Sequence, residues 1–403
     1  MNHFPHLLNQ SQHTSQLPTL SPPSSNTNVK IMAPPLSLLT FSLLFLTTTS
    51  SAEFPISGDF SGDEIIRQVV SNDALSLNSL DLSQPHQHFS LFKKRFNKSY
   101  ATQEEHDYRF NVFKANLRRA KRNQELDPTA VHGVTRFSDL TQSEFRNRFL
   151  GARKSRLKYP AHANKAPILP TDDLPLDFDW RELGAVTPPK DQGGCGSCWA
   201  FSTTGAMEGA HFLATGKLVS LSEQQLVDCD RECDPEGEPD DCDDGCYGGL
   251  MNNAFEYLLK YGGLMREEDY PYKARNGRCK FDKSKIAAKV ANFSVVPDNE
   301  GQIAANLVKN GPLAVGINAR YMSSYISGVS CPLTCSADLE HGVLLVGYGS
   351  AGYSDMRKEE KPYWIIKNSW GEYWGENGYY RLCRGYDLCG VNTLVSTVAD
   401  TPQ

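Results

Sequence analysis

The residues best suited to chemistry lie in a glycine-rich stretch near the middle of the chain, residues 191–201. Cys198 follows this turn and opens an apolar run whose spacing predicts a buried helix beginning at the thiol. The unpaired N–H groups and positive dipole of a helix N-terminus favour the thiolate, the nucleophilic form of cysteine. Gln192, further upstream, carries an amide that can donate to an oxyanion. Considered alone, Cys198 has a simpler interpretation as one half of a disulfide, because secreted chains use cysteine chiefly for bridges.

Two further residues change that balance. His341 opens an apolar run of strand type, and Asn368 lies at the end of another. Each is weak evidence alone, since a single histidine is more often structural and an asparagine after a strand usually belongs to a turn. Together with Cys198 they provide a nucleophile, a base and a group that orients the base.

The segment Cys195-Gly196-Ser197-Cys198-Trp199 resembles the active-site signature of the papain-like cysteine proteases, the family of papain and the cathepsins. The resemblance implies an α+β fold of two lobes, a helical N-terminal lobe at about 174–285 and a β-barrel-like C-terminal lobe at about 286–403. The active site is expected in the cleft between them. No metal or organic cofactor is implied.

The roles implied by the resemblance are those of a cysteine endopeptidase. The Cys198 thiolate pairs with the His341 imidazolium and attacks a peptide carbonyl to form a thioester. Asn368 holds the His341 ring, and the Trp370 indole shields that hydrogen bond from water. Gln192 and the backbone N–H of Cys198 form the oxyanion hole.

The resemblance also implies a substrate site. Gly248 and Gly249 lack side chains, so an extended substrate can approach their backbone. The remaining residues of the site are apolar, which predicts a bulky apolar side chain at the second position before the scissile bond. Glu340 directly precedes His341 and is expected to influence the pH profile. The expected substrate-binding residues are Gly248, Gly249, Leu250, Met251, Gly316, Leu339 and Leu394.

The cysteine count indicates an oxidising compartment, and the charge argues against some partners. Eleven cysteines are many for a reduced cytosol, and the odd number leaves at least one unpaired if the others bridge. A net charge of −6 argues against nucleic acid and anionic membranes as partners.

The family pattern implies Cys195–Cys246, Cys229–Cys279 and Cys335–Cys389, and proximity suggests Cys233–Cys242 and Cys331–Cys383. A zinc site built from Cys229, Cys233, Cys242 and Cys246 is the alternative for that cluster.

Residues 1–52 are interpreted as an N-terminal extension and a signal peptide. A short apolar stretch from Pro34 to Leu46 is followed by small residues, with cleavage expected near Ala52. It is shorter than the roughly 20 apolar residues that span a bilayer. Our hypothesis is that translation begins at Met32. The expected route is secretory, with a vacuole or lysosome implied by the family and secretion as the alternative.

Residues 53–173 are predicted to form an inhibitory propeptide before a peptidase domain at 174–403. Six residues spaced by three or four positions share one face of a predicted helix, as in any amphipathic helix. Their letters resemble the ERFNAQ motif of cathepsin F-like propeptides, and residues 133–139 resemble a second propeptide motif. Residues 161–173 are expected to be a cleavable linker. The six motif residues are Glu105, Arg109, Phe113, Asn116, Ala120 and Gln124.

The remaining features leave alternatives open. Residues 228–244 include ten acidic residues, counting Asp228 and Asp244. This run is expected to be a solvated loop, and the alternatives are a Ca²⁺ site or an exosite for basic partners. Asn97 and Asn292 lie in glycosylation sequons.

The expected partners are peptide substrates, the chain's own propeptide and cystatin-like inhibitors, and the protein is expected to be a monomer. A transglutaminase-type acyltransferase and a catalytically silent binding protein are the rival classes.

Overall fold

The computed structural model describes residues 83–152, 163–233, 242–354 and 359–400. The predicted extension and signal peptide at 1–52 lie outside these residues, as does the acidic stretch 234–241. Within the described residues, no helix combines the length and the apolar character needed to cross a bilayer.

The N-terminal part of the described chain is helical, as its spacing predicts. All six ERFNAQ residues lie on one long helix, which begins where the Thr102 hydroxyl accepts the N–H of Glu105. The motif face turns towards the following segment, where the Asn116 amide donates to the carbonyls of Ser138 and Leu140, both at 2.8 Å. The three helices are α1 (Pro85–Arg95), α2 (Gln103–Leu126) and α3 (Gln142–Phe149).

The central helix α4 (Cys198–Thr215) is almost completely buried. Two glycines let it approach the sheet: a Cβ at Gly205 would lie 2.7 Å from Leu344 Cδ2, and one at Gly209 would lie 2.5 Å from Pro312 Cδ. The helix ends at Gly216 in the left-handed conformation, with φ 71°. The other helices are α5 (Glu223–Cys229), α6 (Met251–Tyr261) and α7 (Glu300–Asn310), with single 3₁₀ turns at Gly245–Tyr247, Lys283–Lys285, Met322–Ser324 and Leu388–Gly390.

A nine-stranded sheet forms the other half of the core. Its order is β1-β7-β10-β9-β8-β6-β11-β5, with β2 paired to β8, and all neighbours are antiparallel except β10 and β7. A separate ladder joins β3 to β4. The strands are β1 (Ala130–His132), β2 (Phe178–Asp179), β3 (Leu264–Met265), β4 (Ile286–Ala288), β5 (Val290–Val295), β6 (Leu313–Ile317), β7 (Tyr325–Ser330), β8 (His341–Ser354), β9 (Glu359–Lys367), β10 (Tyr379–Cys383) and β11 (Val395–Asp400).

Most of the core belongs to two hydrophobic clusters. One surrounds the sheet and contains Trp364 and Tyr380, and the other surrounds α4 and α6 and contains Trp199 and Phe255. Strand β1 precedes the peptidase part of the chain, yet it extends the sheet by pairing with β7, with Ala130 opposite Gly328. The expected mixed α+β architecture with a helical region before it is therefore confirmed.

Ten of the eleven cysteines form disulfides, and Cys198 is the one free thiol. The pairs are those expected from the sequence: Cys195–Cys246, Cys229–Cys279, Cys233–Cys242, Cys331–Cys383 and Cys335–Cys389. The four cysteines of the zinc alternative are all oxidised in these bridges, and a disulfide sulfur is not the thiolate that zinc binds.

Candidate active site

Cys198 is the first residue of α4, so its thiol lies at the positive end of that helix. The Sγ atom is fully buried and accepts two backbone N–H groups, from Gly342 and from Gly151, each at 3.2 Å. Gly342 follows His341, so the start of β8 lies directly against the thiol. Gly151 belongs to the segment before the peptidase part of the chain.

His341 and Asn368 are brought together by the antiparallel pairing of β8 with β9. His341 Nε2 lies 2.8 Å from Asn368 Oδ1, and this oxygen also accepts the N–H of Ser369 at 2.8 Å. Because Oδ1 is an acceptor, Nε2 carries the imidazole proton and Nδ1 is left as the basic nitrogen. Nδ1 is buried and has no hydrogen-bond partner among the described residues.

Trp370 covers this pair. Its indole stacks on the His341 ring with centroids 4.7 Å apart and an interplanar angle of 26°. The tryptophan is fully buried, and its ring lies against the histidine of the bond between His341 and Asn368.

Gln192 is fixed beneath the same site. Its Oε1 accepts the Ser369 hydroxyl at 2.6 Å, which turns the amide nitrogen of the side chain the other way. That nitrogen donates to the carbonyl of Cys195 at 2.8 Å and to the carbonyl of Phe149 at 3.2 Å. The Gln192 side-chain amide, which is predicted to bind an oxyanion, is therefore already bonded to the carbonyl of Phe149, a residue that precedes the expected peptidase domain.

Burial favours the neutral forms of both reactive groups. Desolvation raises the pKa of the Cys198 thiol to about 11, although the N–H groups of Gly342 and Gly151 act in the opposite direction. Desolvation lowers the pKa of His341 to about 4, opposed by its bond to Asn368. In this covered form the pair is thiol and imidazole. The ion pair expected from the sequence stays a prediction for the uncovered enzyme.

The covering segment, Phe149–Ala152, begins at the last residue of α3 and crosses the site, with Leu150 in an extended conformation. The Gly151 carbonyl accepts the N–H of Gly249 at 2.9 Å, and Ala152 donates its N–H to the carbonyl of Glu340 at 3.2 Å. Ala152 runs parallel to Gly249. A Cβ at Gly151 would lie 1.9 Å from the Gly196 carbonyl oxygen, so this close approach requires glycine.

The expected substrate-binding residues lie together beside this segment. Leu250, Met251, Leu339 and Leu394 belong to one buried hydrophobic cluster. A Cβ at Gly316 would lie 2.7 Å from Leu339 Cδ1 and 3.3 Å from Leu394, so only glycine lets the two leucines pack this closely against β6. Gly248 and Gly249 provide backbone, and Gly249 N–H is already bonded to the covering segment.

Side chains of the helical region surround the covering segment. Phe137 and Phe145 pack edge-on against Trp370, with centroids 5.1 and 5.3 Å away. Arg146 Nε lies 3.2 Å from a carboxylate oxygen of Glu340, the residue before the candidate base. Arg136 forms an ion pair with Asp191, which precedes Gln192.

A second contact between the helical region and the sheet is polar and fully buried. We call it the buried anchor: Asn123, Asp127 and His132 on one side, and Ser324, Ser330 and Cys331 on the other. Asp127 accepts the Cys331 N–H at 2.6 Å, the Ser330 hydroxyl at 2.5 Å and His132 Nε2–H at 3.0 Å. The Ser324 hydroxyl lies 3.0 Å from His132 Nδ1 and accepts the Asn123 amide at 2.9 Å.

The sequence reasoning did not find several of these residues. Gly151 had no signal beyond being a glycine in the stretch between the second propeptide motif and the expected linker. Asp127 and His132 had no pattern, because their partners lie about 200 positions further along the chain. The described residues contain no group of three or more histidine, cysteine or acidic side chains arranged to hold a metal ion.

The site combines a thiol at a helix N-terminus with an oriented imidazole, a fixed amide donor and a peptide segment lying across all three. These features define a cysteine hydrolase of peptide bonds held in a covered precursor form. Residues 174–399 match the profile of the papain family of cysteine proteases, and residues 89–145 match the cathepsin propeptide inhibitor domain. The chain belongs to the papain family and carries that family's inhibitory propeptide.

Three relatives support this membership. The chain is 64% identical over 361 residues to cysteine proteinase 15A of Pisum sativum, covering 89% of this chain and 97% of that protein. It is 65% identical over 366 residues to the probable cysteine protease RD19B of Arabidopsis thaliana, covering 90% and 98%. Mouse cathepsin F is 42% identical over 314 residues, covering 77% of this chain and 64% of that protein.

Solved precursor structures have the same fold. Digestive procathepsin L 3 of Tenebrio molitor matches with TM-score 0.63 and 36% identity, covering 78% of this chain and 99% of that one. The proform of the ragweed pollen cysteine protease Amb a 11 matches with TM-score 0.65 and 34% identity, covering 80% and 96%. The family, fold and enzyme class expected from the sequence are confirmed.

Proposed function

We propose that this chain is the precursor of a cysteine endopeptidase in which Cys198, His341, Asn368 and Gln192 carry the reaction. One observation supports this most strongly: a peptide segment of the chain itself lies across the thiol. Its Gly151 N–H reaches Sγ, and its Phe149 carbonyl accepts the Gln192 amide. A site that holds a peptide backbone in this way also suits a peptide substrate.

The reaction follows from the roles of these groups. Once the covering segment leaves, water reaches the pair and the helix N-terminus favours a thiolate beside an imidazolium. The Cys198 sulfur attacks the substrate carbonyl carbon, and the Gln192 amide with the Cys198 N–H stabilises the oxyanion by about 2.7–4 kcal/mol per donor. His341 gives its proton to the leaving amine. It then takes a proton from water, which attacks the thioester and frees the acid and Cys198.

Asn368 and Trp370 act on His341 in this scheme. The Asn368 oxygen keeps the proton on Nε2, so Nδ1 is the nitrogen that exchanges protons with Cys198. The stacked indole keeps water from that bond.

The substrate preference follows from the residues near Gly249. Backbone pairing with Gly248 and Gly249 holds an extended chain. Leu250, Met251, Leu339 and Leu394, the last two packed against Gly316, form the apolar site for the second residue before the scissile bond. Leucine, valine or phenylalanine is preferred there, and a preference for arginine in peptides varied only at that position would contradict the assignment.

The proposed precursor comprises a leader at 1–52, a propeptide at 53–173 and a peptidase domain at 174–403, with lobes meeting near residue 285. The described linker, 163–173, is mostly exposed, as a cleavage site must be. The five disulfides suit the secretory route to a vacuole or lysosome, or secretion. The two sequon asparagines, Asn97 and Asn292, are both exposed and open to glycosylation.

The mature enzyme acts as a monomer and is open to cystatin-like inhibitors that enter the same cleft. Size-exclusion chromatography with light scattering tests the first statement, and inhibition titration with a cystatin tests the second.

Acid incubation of the purified precursor tests the catalytic assignment. The wild type is expected to release a fragment beginning near Leu174, with thiol-dependent activity on an apolar dipeptidyl substrate. Cys198→Ala is expected to stay intact and inactive. If the wild type remains inactive even after another protease removes the propeptide, the chain is a binding relative of the family and the proposal fails.

A further inference from the structure

Two aspartates are completely buried next to the segment that binds the substrate backbone. Asp230 follows α5, Asp243 precedes the turn that leads to Gly248, and neither has measurable exposure. A pair of acidic side chains in the interior is costly unless a cation or a proton separates their charges. The catalytic scheme above uses neither residue.

The hydrogen bonds of the pair leave room for one proton. Asp230 Oδ1 accepts the N–H of Glu232 at 2.9 Å, and Asp243 Oδ1 accepts the N–H of Leu250 at 2.8 Å. The second oxygen of each carboxyl group has no donor among the described residues. The Glu232 backbone links the two residues, because its carbonyl also accepts the N–H of Asp243 at 2.8 Å. Two ionised carboxylates this deeply buried, with no cation from the described residues bonded to either, would repel each other, so the pair is stable only if one carboxyl group keeps a proton.

The other charged and polar groups near the pair do not replace that proton. Arg231 directs its guanidinium to the backbone carbonyls of Val227 and Asp230. Glu232 is paired with Lys260 at 2.6 Å. From α6, the Asn253 amide lies 3.3 Å from Asp243 Oδ1, and burial together with the Asp230 charge raises the pKa of the Tyr257 phenol.

The pair is connected directly to the substrate strand. Asp243 Oδ1 holds Leu250, and it lies 2.7 Å from the position that a Cβ at Gly249 would occupy. Trp199, the neighbour of Cys198, lies equally close to the same point, at 2.7 Å. Gly249 is thus packed tightly against both the aspartate and the tryptophan, so movement of Asp243 displaces the backbone that binds substrate.

We propose that Asp243 is a positioning residue for the substrate strand, and that a proton shared with Asp230 keeps Gly249 and Leu250 in their binding position. Above the pH at which this proton is lost, two buried like charges repel each other and the strand is displaced. The expected effect on substrate binding rests on the proposed function. The shared proton itself does not depend on that function.

The direction of the pH effect follows from burial. Desolvation raises the pKa of Asp230 to about 7, and desolvation with the Asp230 charge raises the pKa of Asp243 well above its ordinary value. A carboxyl group with a raised pKa in the folded state stabilises that state fully below its ordinary pKa. The contribution is lost as the pH rises through the folded-state value. The substrate strand is therefore best ordered in acid and loosens towards neutral pH.

The test compares KM, kcat and alkylation of Cys198 by iodoacetamide across pH in the mature enzyme. If only the protonated pair binds substrate, KM rises about tenfold by one pH unit above the pair's pKa, while the alkylation rate does not fall. Asp243→Asn keeps the acceptor for Leu250 and supplies an N–H to Asp230, so its KM is expected to stay flat. Glu232→Gln removes a neighbouring carboxylate outside the pair and is expected to keep the wild-type rise.

A second measurement does not depend on activity. In the Cys198→Ala precursor, Asp243→Asn is expected to raise Tm at about pH 8 and to leave it unchanged at about pH 4, below the ordinary pKa of aspartate. Asp230→Asn is expected to have the same effect on Tm, and it replaces Asp243→Asn in this test if that variant does not fold. A flat wild-type KM, or equal pH profiles for Asp243→Asn and Glu232→Gln, overturns the proposal. Absence of any peptidase activity would instead overturn the proposed function, and the Tm comparison would still decide on the shared proton.

Discussion

The propeptide contacts the peptidase domain in two ways that differ in chemistry. At the buried anchor, side chains provide the contact: Asp127 alone accepts three hydrogen bonds, two of them from the peptidase domain. At the covering segment the contacts to the thiol, to Gln192 and to Gly249 are all made by propeptide backbone.

The difference separates binding strength from blocking. A buried carboxylate that must find matched donors depends strongly on residue identity. Backbone groups are the same in every residue, so the covering segment needs only a chain that fits, which here means glycine at position 151. We therefore expect changes at the anchor to alter stability, and changes at the covering segment to alter access to Cys198.

The largest expected effect concerns access to the thiol. With the Cys198 pKa raised to about 11 by burial, only about one thiol in ten thousand is ionised at neutral pH in the precursor. Iodoacetamide should label the precursor at least about a thousandfold more slowly than the mature enzyme, since the thiolate is the reactive form. The labelling rate of the precursor should keep rising with pH towards about 11, the pKa of the buried thiol. Mass spectrometry gives the rate, and the Cys198→Ala precursor should take no label.

Equal labelling of precursor and mature enzyme at neutral pH would contradict this prediction. It would mean that the covering segment leaves the thiol exposed in solution.

The next largest effect is expected at the anchor. Asp127→Ala leaves the Cys331 N–H, the Ser330 hydroxyl and His132 Nε2–H without their acceptor in a buried site. Removing one partner of such a network costs about 3–5 kcal/mol. Urea denaturation of the Cys198→Ala precursor should show a loss of this size in the free energy of unfolding.

Asp107→Ala is the matched control, because it removes an exposed acid from α2, the helix that ends just before Asp127. A loss at Asp127 no larger than at Asp107 would show that the anchor contributes little to the precursor.

A smaller effect on stability is expected at Gly151. The added methyl of Gly151→Ala meets the Gly196 carbonyl, so the covering segment must move and give up its few backbone hydrogen bonds. At about 1 kcal/mol for each such bond, the precursor loses about 2–3 kcal/mol. The labelling rate of Cys198 should nevertheless rise towards that of the mature enzyme. Gly194→Ala, where an added Cβ meets nothing within 4 Å, should change neither quantity.

If Gly151→Ala leaves the labelling rate unchanged, access to the thiol is controlled by something other than this segment. If it lowers stability as much as Asp127→Ala, the separation between anchor and covering segment fails.

Local features of the fold were predictable from the sequence, and the contacts between distant segments were not. Helical spacing placed the ERFNAQ residues on one helix, and an apolar run after glycines predicted a helix beginning at Cys198. The site residues matched to known motifs lie together, because those motifs already encode the fold. The anchor could not be found in this way, since Asp127 and Cys331 are 204 positions apart.

The protonation states of Cys198 and His341 in the precursor could not be predicted from the local sequence either. A helix N-terminus favours a thiolate, and that reasoning uses only the local chain. The covering segment adds burial, which raises the pKa of Cys198 and lowers that of His341. The shared proton of Asp230 and Asp243 is also invisible in a stretch where ten acidic residues suggest solvent exposure.

The smallest effect is expected at the ion pair between Arg146 and Glu340. The two charges lie 3.2 Å apart, but the Arg146 side chain is 62% exposed, so water and salt screen the attraction. Exposed pairs of this kind contribute about 0–1 kcal/mol. Arg146→Gln should therefore speed acid processing of the precursor by no more than about fivefold, and added salt should reduce the difference. Arg148→Gln, an exposed neighbour on α3, is the control and should process like the wild type. A much larger change for Arg146→Gln would show that side chains also hold the covering segment, and the contrast with the anchor would weaken.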